Sequence, residues 1–234
     1  MDFGKVKEEL RGLAADQGAA VMGVCRIGEL ADIFVPEIKD AVKKLPVAIS
    51  IGFPLQRAVL GTLDNRPNEI YKSHYRAANA QLDTITLLMA QRISRWGYNA
   101  LPIPASRLLP LHPHRGHVNH REIAFKAGLG WRGKNNLLIS PVYGSRLRLA
   151  TLLTDLELET DPVYDGDCGP CHACRKHCPV EAIGETAADF QLDKCREQVI
   201  RFSRENNLGQ AICGLCLNHC PGDKTRNHAL SGKD

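Results

Sequence analysis

At 234 residues the chain has room for one domain of ordinary size and a small second one, each with its own core. Its 44% hydrophobic and 24% charged residues exclude a disordered chain, and a net charge of +4 is too small to mark a nucleic-acid binder. No apolar stretch follows a basic flank at the start, and no run is long enough to span a bilayer, so a cytoplasmic protein with no membrane partner is expected.

Residues 2–17 predict an amphipathic helix stopped by Gly18. Val21 to Ile27 and Val47 to Phe53 are short apolar runs that predict buried strands, punctuated by Gly28, Pro46 and Pro54. From about Asn68 to Trp96 runs the longest helical pattern, with Leu82, Ile85, Met89, Ile93 and Trp96 forming one buried stripe at spacings of three and four. Leu101 to His117 is rich in Pro, His and Gly and too broken for regular structure. His120 to Ala127 predicts a short helix, and Leu137 to Ser140 and Leu147 to Thr154 predict strands. Asp155 to Asp167 reads as an acidic linker, and the last residues from Gly222 read as a frayed polar tail.

Charge is unevenly spread. Residues 101–150 hold eight Lys/Arg against one acid, Glu122, together with four His, whereas residues 151–167 hold six acids and no base. A basic surface suits an anionic ligand, with a solvated face of mixed charge as the alternative.

Eight of the nine cysteines lie between Cys168 and Cys220. Clustered Cys at short fixed spacing points to metal rather than to disulfides in a reducing compartment. The runs are Cys168-x2-Cys171-x2-Cys174-x3-Cys178-Pro179 and Cys213-x2-Cys216-x3-Cys220-Pro221, with Cys195 between them. The first run has the bacterial ferredoxin spacing, in which the last Cys serves the other cluster. That crossing assigns Cys168, Cys171, Cys174 and Cys220 to one 4Fe-4S cluster, and Cys178, Cys195, Cys213 and Cys216 to a second. Cys195 comes from an inserted helical segment, roughly Leu192 to Asn206. Two structural zinc sites are the alternative, although zinc knuckles usually pair Cys-x2-Cys across a longer spacer. Cys25, in an apolar strand, is expected to be a core thiol. The predicted fold is α+β: an N-terminal sheet-and-helix domain over residues 1–160, then a small ferredoxin-like di-cluster domain over residues 161–234.

The stretch Ala127-Gly-Leu-Gly-Trp-Arg-Gly-Lys-Asn-Asn-Leu-Leu-Ile139, then Tyr143-Gly-Ser145 and Leu152-Leu-Thr-Asp155, together with the Cys arrangement, resembles the cobalamin-dependent epoxyqueuosine reductases, relatives of the reductive dehalogenases. The resemblance runs from about Tyr71 to Pro221. It implies a base-off cobalamin beside one cluster, with the cluster reducing the cobalt so that the corrin acts on a substrate. In that reading Gly128, Gly130, Trp131 and Gly133 approach the ring. Lys134, Arg132 and Arg146 face its phosphate, and Asn135 and Asn136 meet its amides. A tight turn with a solvated Lys134 is the alternative.

The family's members typically carry a further C-terminal helical domain associated with tRNA, and none is expected in this sequence, which stops soon after Cys220. The family's proton-donating Asp corresponds, without gaps, to His114 in Leu111-His-Pro-His-Arg-Gly-His117, and imidazole also donates near neutral pH. His114 and then His117 are the candidate catalytic residues. His112 and His120 join them as candidates for metal, axial ligand or acid, against solvated loop histidines. His74 and Tyr75 resemble a Tyr-His pair of the family in reversed order, with a cap or packing role as the alternative. The expected function is an iron–sulfur, cobalamin-dependent reductase. The alternative is a non-catalytic 4Fe-4S electron-transfer protein serving a partner enzyme. Expected partners are an electron donor of ferredoxin or flavodoxin type and a small-molecule or nucleoside-like substrate, with tRNA doubtful.

Overall fold

The computed structural model describes residues 2–107, 109 and 116–223. In chain order the elements are α1 (Phe3–Asp16), β1 (Val21–Arg26), α2 (Lys39–Lys44), β2 (Val47–Pro54), α3 (Arg57–Leu60), α4 (Glu69–Arg95), β3 (Ala100–Ile103), α5 (His120–Lys126), β4 (Trp131–Arg132), β5 (Leu138–Ile139), β6 (Leu147–Thr154), α6 (Ala173–Lys176), α7 (Leu192–Glu205) and α8 (Leu215–Asn218). The chain divides into two compact units of interleaved segments: Met1–Pro54, Ala78–Leu129 and Arg148–Tyr164 form one, and Leu55–Ala77, Gly130–Leu147 and Asp165–Asp234 form the other.

The first unit is built on a mixed arrangement of helices and one four-stranded sheet, in the order β1-β2-β6-β3. β1 pairs antiparallel with β2, and β3 with β6. Asp2 starts α1 by accepting the Lys5 N–H at 3.2 Å, which satisfies one of the orphan donors of the first turn. Val6, Leu10 and Ala14 then turn inward at helical spacing. They meet Val24, Val47, Ile49 and Ile51 of the sheet, and Leu82, Ile85, Met89 and Ile93, in one core. The last four side chains have no exposed surface. Each such burial stabilises by about 1.5–3 kcal/mol. Trp96 lies just past α4 and is half-buried against the same core.

Two expectations for this unit fail. Leu101 to His117 is not irregular throughout, because Ala100–Ile103 forms β3, with Pro102 opposite Leu152. Proline cannot donate to a ladder, but β3 lies at the end of the strand order, where an unpaired edge tolerates it. Nor is Asp155 to Asp167 a free linker. Leu156 and Leu158 are buried in the core, and Asp161 accepts from Lys7 Nζ and from the Val24 N–H, both at 2.8 Å. Alternating leucines pay for packing that an all-acidic tether lacks. Cys25 is buried in β1, where its Sγ lies 3.8 Å from Ile123 O and burial pushes the thiol up to about 11. It is a core thiol.

The second unit holds all eight clustered cysteines and does not consist of the C-terminal stretch alone. Leu55, Leu60, Leu63 and Tyr71 from one earlier segment, and Trp131, Leu138, Ile139 and Leu147 from another, are buried in the chain. A short cysteine-rich stretch has too little apolar surface to bury by itself, which accounts for the borrowed segments. Among the described residues no helix is long and apolar enough to cross a membrane.

Candidate metal centre

Each Cys run is a loop, a single helical turn and a His-Cys-Pro ending. α6 lies between Cys171 and Cys178, and α8 between Cys213 and Cys220. The two turns pack together. His177 and His219 stack face to face, with ring centroids 3.3 Å apart and planes 6° from parallel. This stack sets the Cys178 and Cys220 endings side by side. Cys195 is on the first turn of α7, three and seven residues before the buried Gln198 and Phe202, so helical spacing puts it on the buried face.

The thiols fall into two neighbourhoods. Cys174 is pushed up to about 11 by burial, and then by Cys220, Cys168 and Cys171. Cys220 is raised by burial, against the Gly222 N–H and the hydroxyl and N–H of Ser145, with Cys168 adding to the rise. Cys213 is pushed up to about 11 by burial, with Cys195 and Cys178 adding and the Leu215 N–H opposing. Cys216 is raised well above the ordinary thiol range by burial, then by Cys213 and Cys195, and less by Cys174 and Cys178. Burial thus favours the thiol form of Cys174, Cys213, Cys216 and Cys220, and a bound metal would take up the charge as they ionise. Donors already aim at sulfur: the Trp131 indole N–H lies 3.4 Å from Cys168 Sγ, and the Ala182 N–H lies 3.2 Å from Cys178 Sγ. Among the described residues no three His, Cys, Asp or Glu side chains stand as a single-ion site requires.

From Gly130 on, the glycine-rich string is part of this unit. A Cβ added at Gly130 would stand 1.9 Å from Ile139 O, and one at Gly133 would stand 2.5 Å from Ile139 Cδ1. At Gly128, in the first unit, it would stand 2.2 Å from Pro162 O. The close approach at each is to the chain's own atoms. Lys134 is 8% exposed, and its Nζ donates to Gly169 O at 2.8 Å and to Cys171 O at 3.2 Å. The Asn135 amide donates to Ser145 Oγ at 3.3 Å and its carbonyl oxygen accepts the Leu137 N–H. Arg146 is buried and donates to Leu55 O at 3.2 Å, while its Nε has no partner. Arg132 is exposed and Asn136 is half-buried, with a left-handed φ of 58°.

The histidines are scattered by role. His112 and His114 lie outside the described residues. In the first unit His117 Nδ1 is buried without a partner. His120 is held between Thr151 Oγ1 at 2.8 Å and Pro104 O at 3.1 Å. The carbonyl requires Nε2–H, and in the neutral ring Nδ1 accepts from the hydroxyl. Burial, with Arg148 and His117 nearby, pulls its pKa to about 4. The unfolded ring therefore takes up its proton first as pH falls, and this stability is full above about pH 6.5 and is lost on the way down to about 4. The loss amounts to at most about 3 kcal/mol. Thermal melts across that window will show a flatter slope for His120→Gln than for the wild type. His74 accepts the Gln56 N–H at 3.0 Å, and Tyr75 meets Tyr71 edge-on at 6.2 Å.

Reading the sequence missed the His177–His219 stack and the thiol contact of Ser145. A repeated His before each Cys-Pro was the available signal for the first, and none marked the second.

No family model matches the chain. The epoxyqueuosine reductase of Synechocystis sp. is 35% identical over 118 residues, covering 45% of this chain and 40% of that protein. That of Cyclobacterium marinum is 49% identical over 118 residues, covering 46% and 37%. The chain is related to the epoxyqueuosine reductases. The match takes in about two fifths of the length of these curated relatives. Among solved structures, the catabolic reductive dehalogenase NpRdhA superposes with a TM-score of 0.76 at 21% identity, over 98% of this chain and 34% of that one. An epoxyqueuosine reductase with an epoxyqueuosine-modified tRNA-Tyr stem loop gives 0.62 at 19%, over 95% and 66%. At such identities the fold is what is shared. That relative is seen with a tRNA stem loop, so the expectation that tRNA is a doubtful partner is not borne out.

Proposed function

We propose that this chain is an iron–sulfur oxidoreductase of the cobalamin-dependent kind, with two 4Fe-4S clusters in a ferredoxin-like arrangement. The observation that carries the reading is the division of the eight thiols. Cys168, Cys171, Cys174 and Cys220 share one neighbourhood, and Cys178, Cys195, Cys213 and Cys216 the other. Four thiolates are what each cubane requires. Sulfur-directed N–H groups at Cys168 and Cys178 support it further.

Cobalamin, when bound, supplies the low-potential metal chemistry that such reductases use on their substrates. The segment from Gly128 to Arg146 is its proposed surrounding. Trp131 and Lys134 tie that segment to the Cys168–Cys171 loop, Gly130, Gly133 and Asn135 pack within it, and Arg146 binds the Leu55 carbonyl. Arg132 and Asn136, nearer the surface, suit its phosphate and amides. His117, through Nδ1, and His114 are the proposed proton sources. The sheet unit is proposed to serve the substrate, a nucleoside-like group or an RNA stem loop of the type held by the solved relative. A one-electron donor of ferredoxin or flavodoxin type feeds the clusters, and the cytoplasm is the expected compartment.

Anaerobically purified protein should carry about eight irons per chain and shift the visible bands of added cobalamin. Iron without any band shift turns the reading into an electron-transfer protein serving a partner. Zinc in place of iron ends both.

A further inference from the structure

The two thiol sets differ in what surrounds them. The set of Cys168, Cys171, Cys174 and Cys220 is approached by side chains from Gly130–Leu147. The Trp131 indole N–H points at Cys168 Sγ, and the Lys134 ammonium binds the carbonyls of Gly169 and Cys171, on the loop that carries two of the thiols. Among the described residues no carboxylate pairs with Lys134. Arg146 is a second buried cation with an orphan Nε, and Arg57 and Cys220 are among the charges it feels. A buried cation without a carboxylate needs another counter-charge. The other set is served by backbone amides, Ala182 at Cys178 and Leu215 at Cys213, which bring dipoles but no net charge. The nearest cations in sequence to Cys195 are Lys194, which is exposed, and Arg196, which is paired with Asp193. Exposed charge is largely screened by salt.

We propose that Lys134 and Trp131 make the cluster held by Cys168, Cys171, Cys174 and Cys220 the more easily reduced of the two, so that the electron rests there. This inference rests on the two-cluster reading above. Reduction adds one negative charge to a cluster that is already anionic. A fixed ammonium beside the loop and an N–H on sulfur both favour the added charge, and net charge and sulfur hydrogen bonds are among the terms that set cluster potentials. The electron comes from a ferredoxin- or flavodoxin-type donor, which is oxidised by one electron, and no covalent bond forms or breaks. Lys134 and Trp131 are positioning and tuning residues.

An EPR-monitored redox titration of the anaerobically reconstituted chain, with dithionite as reductant, tests this. The wild type should give two midpoints. Lys134→Gln should lower the higher one by at least a tenfold change in the reduction equilibrium, about 59 mV for one electron, and leave the lower one in place. Trp131→Phe should lower the same midpoint by a smaller step, and Lys194→Gln should move neither. A Lys134→Gln protein in which the lower midpoint moves, both move together or neither moves overturns the proposal. If Lys134→Gln loses half its iron, Trp131→Phe decides, and an unmoved higher midpoint overturns the proposal. Wild-type iron well short of two clusters instead defeats the reading beneath it.

Discussion

Replacing Cys168 and Cys220 together by alanine removes about half of the iron from the chain, and no more than either single replacement removes. Replacing Cys168 and Cys178 together, two members of the same sequence run, removes nearly all of it. The stacked His177 and His219 rings set the two Cys-Pro endings side by side, and in the proposed arrangement each run sends its last thiol to the set begun by the other. Cys220 neighbours Cys168 and Cys174, and Cys178 neighbours Cys213 and Cys216. Residues that serve one cluster fail as a unit, and residues that serve two fail independently. Iron analysis and the visible absorbance of the four variants read this directly. If the 168/178 pair loses only half its iron while the 168/220 pair loses all, each run holds its own cluster and the crossed arrangement is wrong.

Gly130→Ala destabilises the protein by about 3 kcal/mol or more. Gly130 sits at φ +153°, and a Cβ there would stand 1.9 Å from Ile139 O, 2.7 Å from Ile139 C and 3.1 Å from Ser140 Cα. All three are backbone atoms, two of them in β5 and one in the residue that follows it, so no rotamer change clears the clash. The neighbouring Trp131 and Lys134 are the side chains that reach the Cys168–Cys171 loop, and moving β4 costs the first thiol set its donors. A fall in melting temperature of roughly 6–12 °C is expected for a chain of this size, with partial loss of iron. Gly12→Ala is the control, since no atom lies within 4 Å of its added Cβ and it is in α1. Alanine should raise helix stability there by up to about 1 kcal/mol. A Gly130→Ala protein that melts with the wild type and keeps its iron would refute the account of the string.

Periodicity was a sound guide wherever one face of an element meets one core. The stripe Leu82, Ile85, Met89 and Ile93 and the apolar runs of β1 and β2 are buried as their spacing indicates. The same reasoning passed over β3, because Pro102 reads as a strand breaker until an edge position makes it acceptable. It misread Asp155 to Asp167 because the six acids mask Leu156 and Leu158. Gly128, Gly130 and Gly133 were legible as points of close approach, but not what approaches. That partner is Pro162 or Ile139, between 6 and 34 residues along the chain. His120, grouped with a loop of histidines in the sequence, is held by Thr151 and Pro104 as a neutral tie.

From the chain alone came the period of each long element, the spacing of the thiols and the likeness to the epoxyqueuosine reductases, all properties of residues near one another in sequence. Tertiary structure decided which separated segments complete the cysteine unit, and that Lys134 lies on the Gly169 and Cys171 carbonyls while Trp131 lies on Cys168. Local patterns encode which face of an element is apolar. Which distant polar group finds which partner is set by burial, where an unpaired donor or charge costs more than the ordering needed to satisfy it.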